Sequence, residues 1–295
     1  MRLISYVRGT AERVGLVKAD NTVVELAALG GTPPFDPTDM LSLIGAGAPA
    51  LEWIRTNALK APGSESLEKL VLLAPIPRPR KNVFCVGWNY LEHFKEGEKI
   101  RPTVTEMPTH PTFFSKTPTT VIGPYEAVPY DAKVTEKLDW EAELGVIIGP
   151  GGKNISEADA MKHVFGYAVI NDVSGRDIQR QHGQQWFKGK SLDGTCPMGP
   201  CILTADEVPD PHALAIGCTL NGVVKQDSNT SYMYFKIPRI IAELSHGMTL
   251  EPGDVISTGT PHGVGHARTP PEFMKPGDIL ETTVEGVGVI RNRIG

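Results

Sequence analysis

The chain of 295 residues is long enough to bury a sizeable core and to form one large or two unequal domains. Hydrophobic residues make up 40% and charged residues 21%, a globular balance; a net charge of −5 without any basic run argues against nucleic acid as a partner. No apolar stretch approaches the roughly 20 residues that span a bilayer, and "MRLISYVRGTAERVG" lacks the apolar core of a signal peptide, so no membrane contact and a cytoplasmic location are expected.

Taken in order, "MRLISYVRG" and "RVGLVKADNTVVEL" read as a strand and a hairpin turning at Asp20-Asn21. "DPTDMLSLIGAG" and "APALEWIRTNALK" read as short helices, the first capped by Asp36 or Thr38. "APIPRPRKN", with proline at 75, 77 and 79, is extended linker chemistry and puts a domain boundary near residue 78. A small N-terminal domain, 1–78, would then precede a larger one, 79–295. Beyond the boundary come the strand "NVFCVGWNY", a polar stretch over 91–110 and a β-rich body. "ISEADAMKHV" predicts a short helix leading into the strand "VFGYAVINDV". A further helix is predicted over about 237–245, with Pro238 in its first turn and Gly247 at its stop. "EPGDVISTGT" and "KPGDILETTV" each read as a type II Pro-Gly turn feeding a strand. The 31 glycines and 25 prolines, scattered as turn signals, favour many short strands. Cys85, Cys196, Cys201 and Cys218 form no C-x-x-C pair, so reduced, partly buried thiols are expected rather than a zinc site or disulfides.

The most informative stretch is "KLDWEAELGV". Strand alternation puts Glu141 and Glu143 on one face and Trp140, Ala142 and Leu144 on the other. Neighbouring carboxylates repel unless they are solvated, share a proton or hold a cation, and the apolar "LGVIIG" that follows speaks against solvation. Asp172 ends the strand "VFGYAVIND" and adds a third carboxylate. Such an oxygen-rich, half-open set suits Mg²⁺ or Mn²⁺. In "WNYLEHFKEG", His93 and Glu96 stand at a helical i, i+3 spacing that lets them share a proton and hold a water. "FKGKSLDGTCPMGP" brings Lys190 and Asp193 into a turn-rich loop, where the lysine could stabilise enolate charge. "STGTPHGVG" offers the hydroxyls of Thr258 and Thr260 to a carboxylate.

In that order, "VGWNYLEHFKE", "DWEAELGVIIG", "NDVSGRDIQ", "GKSLDGTCPMGP" and "STGTPHGVG" resemble the fumarylacetoacetate hydrolase family from about Asn82 to the C-terminus. The resemblance implies a mainly β, α+β fold: a mixed β-sandwich roll behind a small N-terminal α+β domain, assembled as a homodimer. It implies a divalent metal, Mg²⁺ or Mn²⁺, on Glu141, Glu143 and Asp172, and a catalytic set of His93, Glu96 and Lys190, the first two on a mobile lid. Arg176, Gln179, Asp193 and Thr260 would bind a small oxo-acid substrate. The segment "GEKIRPTVTEMPTHP" is longer than the usual link after the lid helix. The expected reaction is hydrolysis of a 2,4-dioxo acid to pyruvate and a carboxylic acid, water attacking C4 and the pyruvate enolate leaving. Decarboxylation of an oxaloacetate-type acid, or isomerisation of a hydroxy-diene-dioate, passes through the same enolate and is the alternative. A non-catalytic binder would not need the His93–Glu96 pair.

Overall fold

The computed structural model describes residues 1–97, 106–183 and 185–295. The N-terminal segment is an antiparallel meander of β1 (Arg2–Arg8), β2 (Ala11–Val17) and β3 (Thr22–Glu25). Its second turn is where the sequence puts it. Asn21 takes φ 59°, a left-handed conformation that asparagine tolerates, and Asp20 accepts hydrogen bonds from the amide and hydroxyl of Thr22. Two short helices follow, α1 (Met40–Ala46) and α2 (Ala48–Trp53). The cap of α1 is Asp39, accepting from the Leu41 amide at 2.9 Å, and not Asp36 or Thr38, which are bonded to each other one turn earlier.

After β4 (Glu65–Ser66) and β5 (Val71–Leu72) come β6 (Val83–Gly87), α3 (Leu91–Glu96), β7 (Thr112–Lys116), β8 (Val121–Ile122) and β9 (Leu138–Asp139). The central strands are β10 (Ala142–Ile148) and β11 (Val164–Asn171), then β12 (Ser174–Gly175), α4 (Arg176–Gln181), α5 (Phe187–Lys190) and β13 (Cys196–Thr204). The chain closes with β14 (Ala215–Leu220), β15 (Val223–Asn229), α6 (Ile237–Ser245), β16 (Val255–Ser257), β17 (Ile279–Val284) and β18 (Gly288–Arg293).

Among the described residues, twelve strands form one mixed sheet in the order β4-β3-β2-β1-β13-β11-β10-β16-β6-β7, with β5 beside β1 and β8 beside β13. A second, antiparallel sheet runs β15-β14-β17-β18. Leu144, Val146 and Ile148 of β10 pack with Ile216, Leu280 and Val284 of that second sheet, while Ile147 of the same strand packs on the opposite side with Leu43 and Ile44 of α1. With both faces covered, β10 and β11 are buried at every position, which is why they read as apolar runs rather than alternating strands. β1 pairs with β13, Arg2 opposite Leu203, so the segment before residue 78 extends the main sheet and shares its core.

The helix predicted at "ISEADAMKHV" is a single 3-10 turn, Ala160–His163; Ser156 and Asp159 bond each other, and only Ala160 of the turn is buried, too little to hold a longer helix. α6 lies where its apolar stripe predicts. Both Pro-Gly turns have the type II form, with Gly253 at φ 88° and Gly277 at φ 92°, each closed by an i+3 to i hydrogen bond. All four cysteines are free and fully buried, more enclosed than expected. No helix among the described residues is long and apolar enough to cross a membrane.

Candidate active site and metal centre

Glu141 immediately precedes β10 and Glu143 is its second residue. The Asp172 amide donates to the Glu141 carbonyl at 2.9 Å, carrying the β10–β11 ladder one step beyond the strand ends. Carboxylates from two adjacent strands are thereby brought side by side, and one oxygen from each of Glu141, Glu143 and Asp172 lies within 4.8 Å of the others. All three are buried. Buried carboxylates of one sign must be compensated, and three cations do so. Lys190 Nζ donates to Glu141 Oε2 and Asp172 Oδ2, both at 2.7 Å. Arg176 lies between Asp139 (Nε to Oδ2, 2.8 Å) and Glu141 (NH2 to Oε1, 2.6 Å). Lys116, fully buried, has its ammonium 2.8 Å from Asp172 Oδ1 but directs its hydrogen bonds at the carbonyls of Val173 and Lys190.

The compensation is uneven. Burial alone would raise the Glu141 pKa, but Lys190 and Arg176 outweigh it and hold this carboxyl well below the usual range. Among the described residues Glu143 faces no cation at contact distance; burial first, then the charges of Asp172 and Glu141, push it up to about 8. Its Oε2 accepts from the Ser257 hydroxyl and the Gly259 amide. Asp172 Oδ1 is buried without a hydrogen-bond partner among the described residues. Three clustered carboxylate oxygens, one of them on a carboxyl destabilised by like charge, are a donor set that a divalent cation would satisfy, so the residues fit a Mg²⁺ or Mn²⁺ type of ion.

Glu141 and Glu143 form the floor of a cavity of about 510 Å³, and Asp172 is fully buried beside them. Trp88, Phe113, Phe114 and Trp186 contribute an aromatic wall; Trp88, turned to φ 56° at the corner between β6 and α3, meets Trp186 edge-on at 4.8 Å. Asn89 anchors the start of α3 by bonding the carbonyls of Phe235 and Thr258 and accepting from the Phe235 amide. That orients the helix so that His93 faces the cavity, with its Nδ1 2.7 Å from Glu96 Oε1. Glu96 Oε2 accepts from the Gly263 amide at 2.8 Å. The i, i+3 pair thus exists as the spacing suggests. Most of the lengthened segment after it, 98–105, lies outside the described residues.

Of the other expected residues, Lys190, Arg176, Gln179 and Thr260 all line the cavity. Lys190 also has its ammonium 5.0 Å from the Phe114 ring centre. The Thr260 hydroxyl donates to the Ala142 carbonyl and accepts from Gln226, so its proton is already committed to the scaffold. Asp193 is exposed and does not line the cavity, because the turn after α5 directs it to solvent. The sequence reading missed four charged or titratable groups: Lys116, Asp139, Arg180 and His266. Arg180 was accessible to it, since Arg176, Gln179 and Arg180 stand at i, i+3 and i+4 on one face of α4 and all reach the cavity. Lys116 and His266 come from distant strands and loops with no local signature.

An acidic floor under an aromatic wall, at the ends of the central strands of a large mixed sheet, is a pocket that could hold a metal ion. The profile of the fumarylacetoacetate (FAA) hydrolase C-terminal domain matches residues 82–295, and the chain belongs to this family. It is 41% identical over 288 residues to oxaloacetate tautomerase YisK of Bacillus subtilis, covering 95% of this chain and 92% of that protein. It is 44% identical over 269 residues to the human mitochondrial oxaloacetate tautomerase FAHD2A, covering 88% and 82%. A solved maleylpyruvate hydrolase from Sphingobium sp. SYK-6, in complex with manganese(II) and pyruvate, superposes with a TM-score of 0.80 at 28% identity over 100% of this chain and 98% of that one.

Proposed function

We propose that the protein interconverts the enol and keto forms of a 2-oxo dicarboxylic acid of the oxaloacetate class. The observation that carries this reading is His93 on the cavity wall with Glu96 behind its ring: Glu96 occupies Nδ1, so Nε2 is the nitrogen left to exchange a proton with a bound acid. The relatives named as oxaloacetate tautomerases, at 41 and 44% identity, support this reaction above the acylpyruvate hydrolysis expected from sequence.

Ketonisation requires a proton to be added at C3 and the enol proton on O2 to leave, with no change in composition. His93 would deliver the first from Nε2 while Glu96 holds the ring in one orientation; the O2 proton would pass to solvent, and a solvent proton would restore His93 for the next turnover. A divalent cation on Glu141, Glu143 and Asp172, Mg²⁺ or Mn²⁺, would supply Lewis-acid polarisation of the 2-oxo acid end. Lys190 stands beside the same carboxylates and would add positive potential where enolate charge develops. Arg180, exposed at the rim and without an ion-pair partner among the described residues, is the cation available to the second carboxylate of a diacid. The aromatic wall would keep bulk water from the reacting carbons.

Hydrolysis keeps one supporting observation, the pyruvate-bound maleylpyruvate hydrolase of the same fold, and His93–Glu96 could equally activate a water. The deciding experiment follows the ultraviolet enol band of oxaloacetate with Mn²⁺-loaded protein, in parallel with pyruvate and CO₂ release and with acylpyruvate consumption. Enol decay accelerated at least tenfold without matching pyruvate release supports tautomerisation. Stoichiometric pyruvate from an acylpyruvate, with no effect on the enol band, would overturn it.

A further inference from the structure

A second histidine held by a carboxylate, His266, lines the same cavity. His266 Nδ1 is 2.9 Å from Asp139 Oδ2, and the His266 backbone amide donates to that oxygen at 3.0 Å. The other oxygen of Asp139 accepts from the Gly265 amide at 2.7 Å. The backbone can come this close only because residue 265 is glycine: a Cβ there would fall 2.6 Å from Asp139 Oδ1 and 2.1 Å from the Glu272 carbonyl. Asp139 is fully buried and ion-paired to Arg176, hence anionic, so the proton between it and the imidazole belongs to His266 Nδ1. Arg176 Nε bonds the same Asp139 oxygen as the ring does, so a second proton on the imidazole would face that guanidinium. Burial and then Arg176 push its pKa down to about 4, which agrees. The tautomer is therefore fixed. Nε2 carries a lone pair, and with the ring on the cavity wall that lone pair is the edge offered to a ligand.

We infer that His266 is a specificity-determining residue whose Nε2 accepts the hydrogen bond of a substrate hydroxyl, selecting the enol form of the oxo acid over its keto form. The inference rests on the oxo-diacid reading of the cavity. The chemistry beside the floor is one-sided: Arg176 and Lys190, which meet it, are donors only, suited to carboxylate and oxo oxygens, and Gln179 already spends its amide oxygen on Arg176. An enol hydroxyl is a donor and needs an acceptor that is not itself an anion. A neutral imidazole locked by Asp139 supplies one, and a keto oxygen in the same place would face lone pair against lone pair. No proton transfer to His266 is required.

The test uses a pair of stable diacids that differ only by that hydroxyl, hydroxymalonate and malonate, titrated calorimetrically into the Mn²⁺-loaded protein. The hydroxyl also gains from the cation, so the quantity read is the change in the affinity ratio on mutation. His266→Phe removes the acceptor and the Asp139 bond together. His266→Asn retains an N–H at the position of Nδ1 and loses only the outer acceptor. Both should lower the hydroxymalonate-to-malonate affinity ratio about tenfold, the scale of one hydrogen bond whose partner would otherwise be buried unsatisfied, with malonate affinity and the melting temperature of His266→Asn near wild type. A ratio within twofold of wild type in His266→Asn overturns the inference. Because both ligands are unreactive, that outcome is separate from failure of the tautomerase reading, which would appear as an unaffected enol band.

Discussion

Replacing Glu143 by glutamine isolates the like-charge repulsion in the acidic floor. The substitution keeps an oxygen to accept from the Ser257 hydroxyl and the Gly259 amide, and removes only the charge. In the metal-free protein the Glu143 pKa is raised from 4.5 to about 8 by burial and by Asp172 and Glu141. A carboxyl that binds its proton more tightly when folded favours folding most below its ordinary pKa. That contribution is lost as pH rises from about 4.5 through about 8, where the unfolded chain ionises freely and the folded one resists. At about 1.4 kcal/mol per tenfold change in acidity, the full displacement is worth on the order of 5 kcal/mol above pH 8, an upper bound because water and side chains relax around a buried charge. The metal-free Glu143→Gln variant should accordingly exceed the parent in urea-melt stability by about 2–4 kcal/mol at pH 9, and by less than about 1 kcal/mol at pH 5. Adding Mn²⁺ at pH 8 should close the gap by stabilising the parent alone, since binding only the folded state raises its stability. A stability difference that is the same at pH 5 and pH 9 would refute the assignment of repulsion to this carboxyl.

Three further outcomes follow from the same geometry. Glu96→Gln should still bind Mn²⁺ while kcat on enol-oxaloacetate falls about 10²- to 10⁴-fold, the span of general acid–base catalysis, measured by the enol band. Arg180→Met should raise KM for oxaloacetate about three- to tenfold, the modest scale of an exposed charge pair, and leave the binding of a monocarboxylic oxo acid such as pyruvate unchanged, as calorimetry can read. Lys116→Met should destabilise the metal-free protein by roughly 3 kcal/mol, because it strips a buried cation from Asp172. Part of that loss should return on adding Mn²⁺, which thermal melts with and without the ion would detect.

Local chemistry made much of this molecule legible in its sequence. The Asp20-Asn21 turn, the two Pro-Gly turns and α6 depend on a few adjacent residues and lie where those residues place them. So does the Glu141–Glu143 pairing, since strand alternation needs no knowledge of the rest of the fold. What escaped was set by distant contacts. The choice of Asp39 over its neighbours as helix cap, and the contraction of the 156–163 helix to one turn, depend on which side chain finds a partner first. Lys116 reads as an ordinary strand-end charge until β7 is laid against the Asp172 loop. His266 is unremarkable until Gly265 brings its backbone onto Asp139, 126 residues away in sequence. The sequence therefore announced the acidic half of the site and two of the three cations that balance it, Lys190 and Arg176, and concealed Lys116 together with the Asp139–His266 pair.

Glu96 has two fixed engagements, one oxygen on His93 and the other on the Gly263 amide. The first is internal to α3; the second joins the helix to the loop after β16. The pair proposed to handle protons and the seat of the far end of the helix thus depend on one carboxylate. Lifting the far end of α3 about its Asn89 anchor would free that carboxylate to reorient and loosen its grip on the imidazole. A cavity opened to admit or discharge a ligand would then be chemically idle, and its acid–base competence would be restored only on reseating. Admission and reaction would be separated in time by a single side chain, with no additional gate needed to prevent proton exchange in an open cavity.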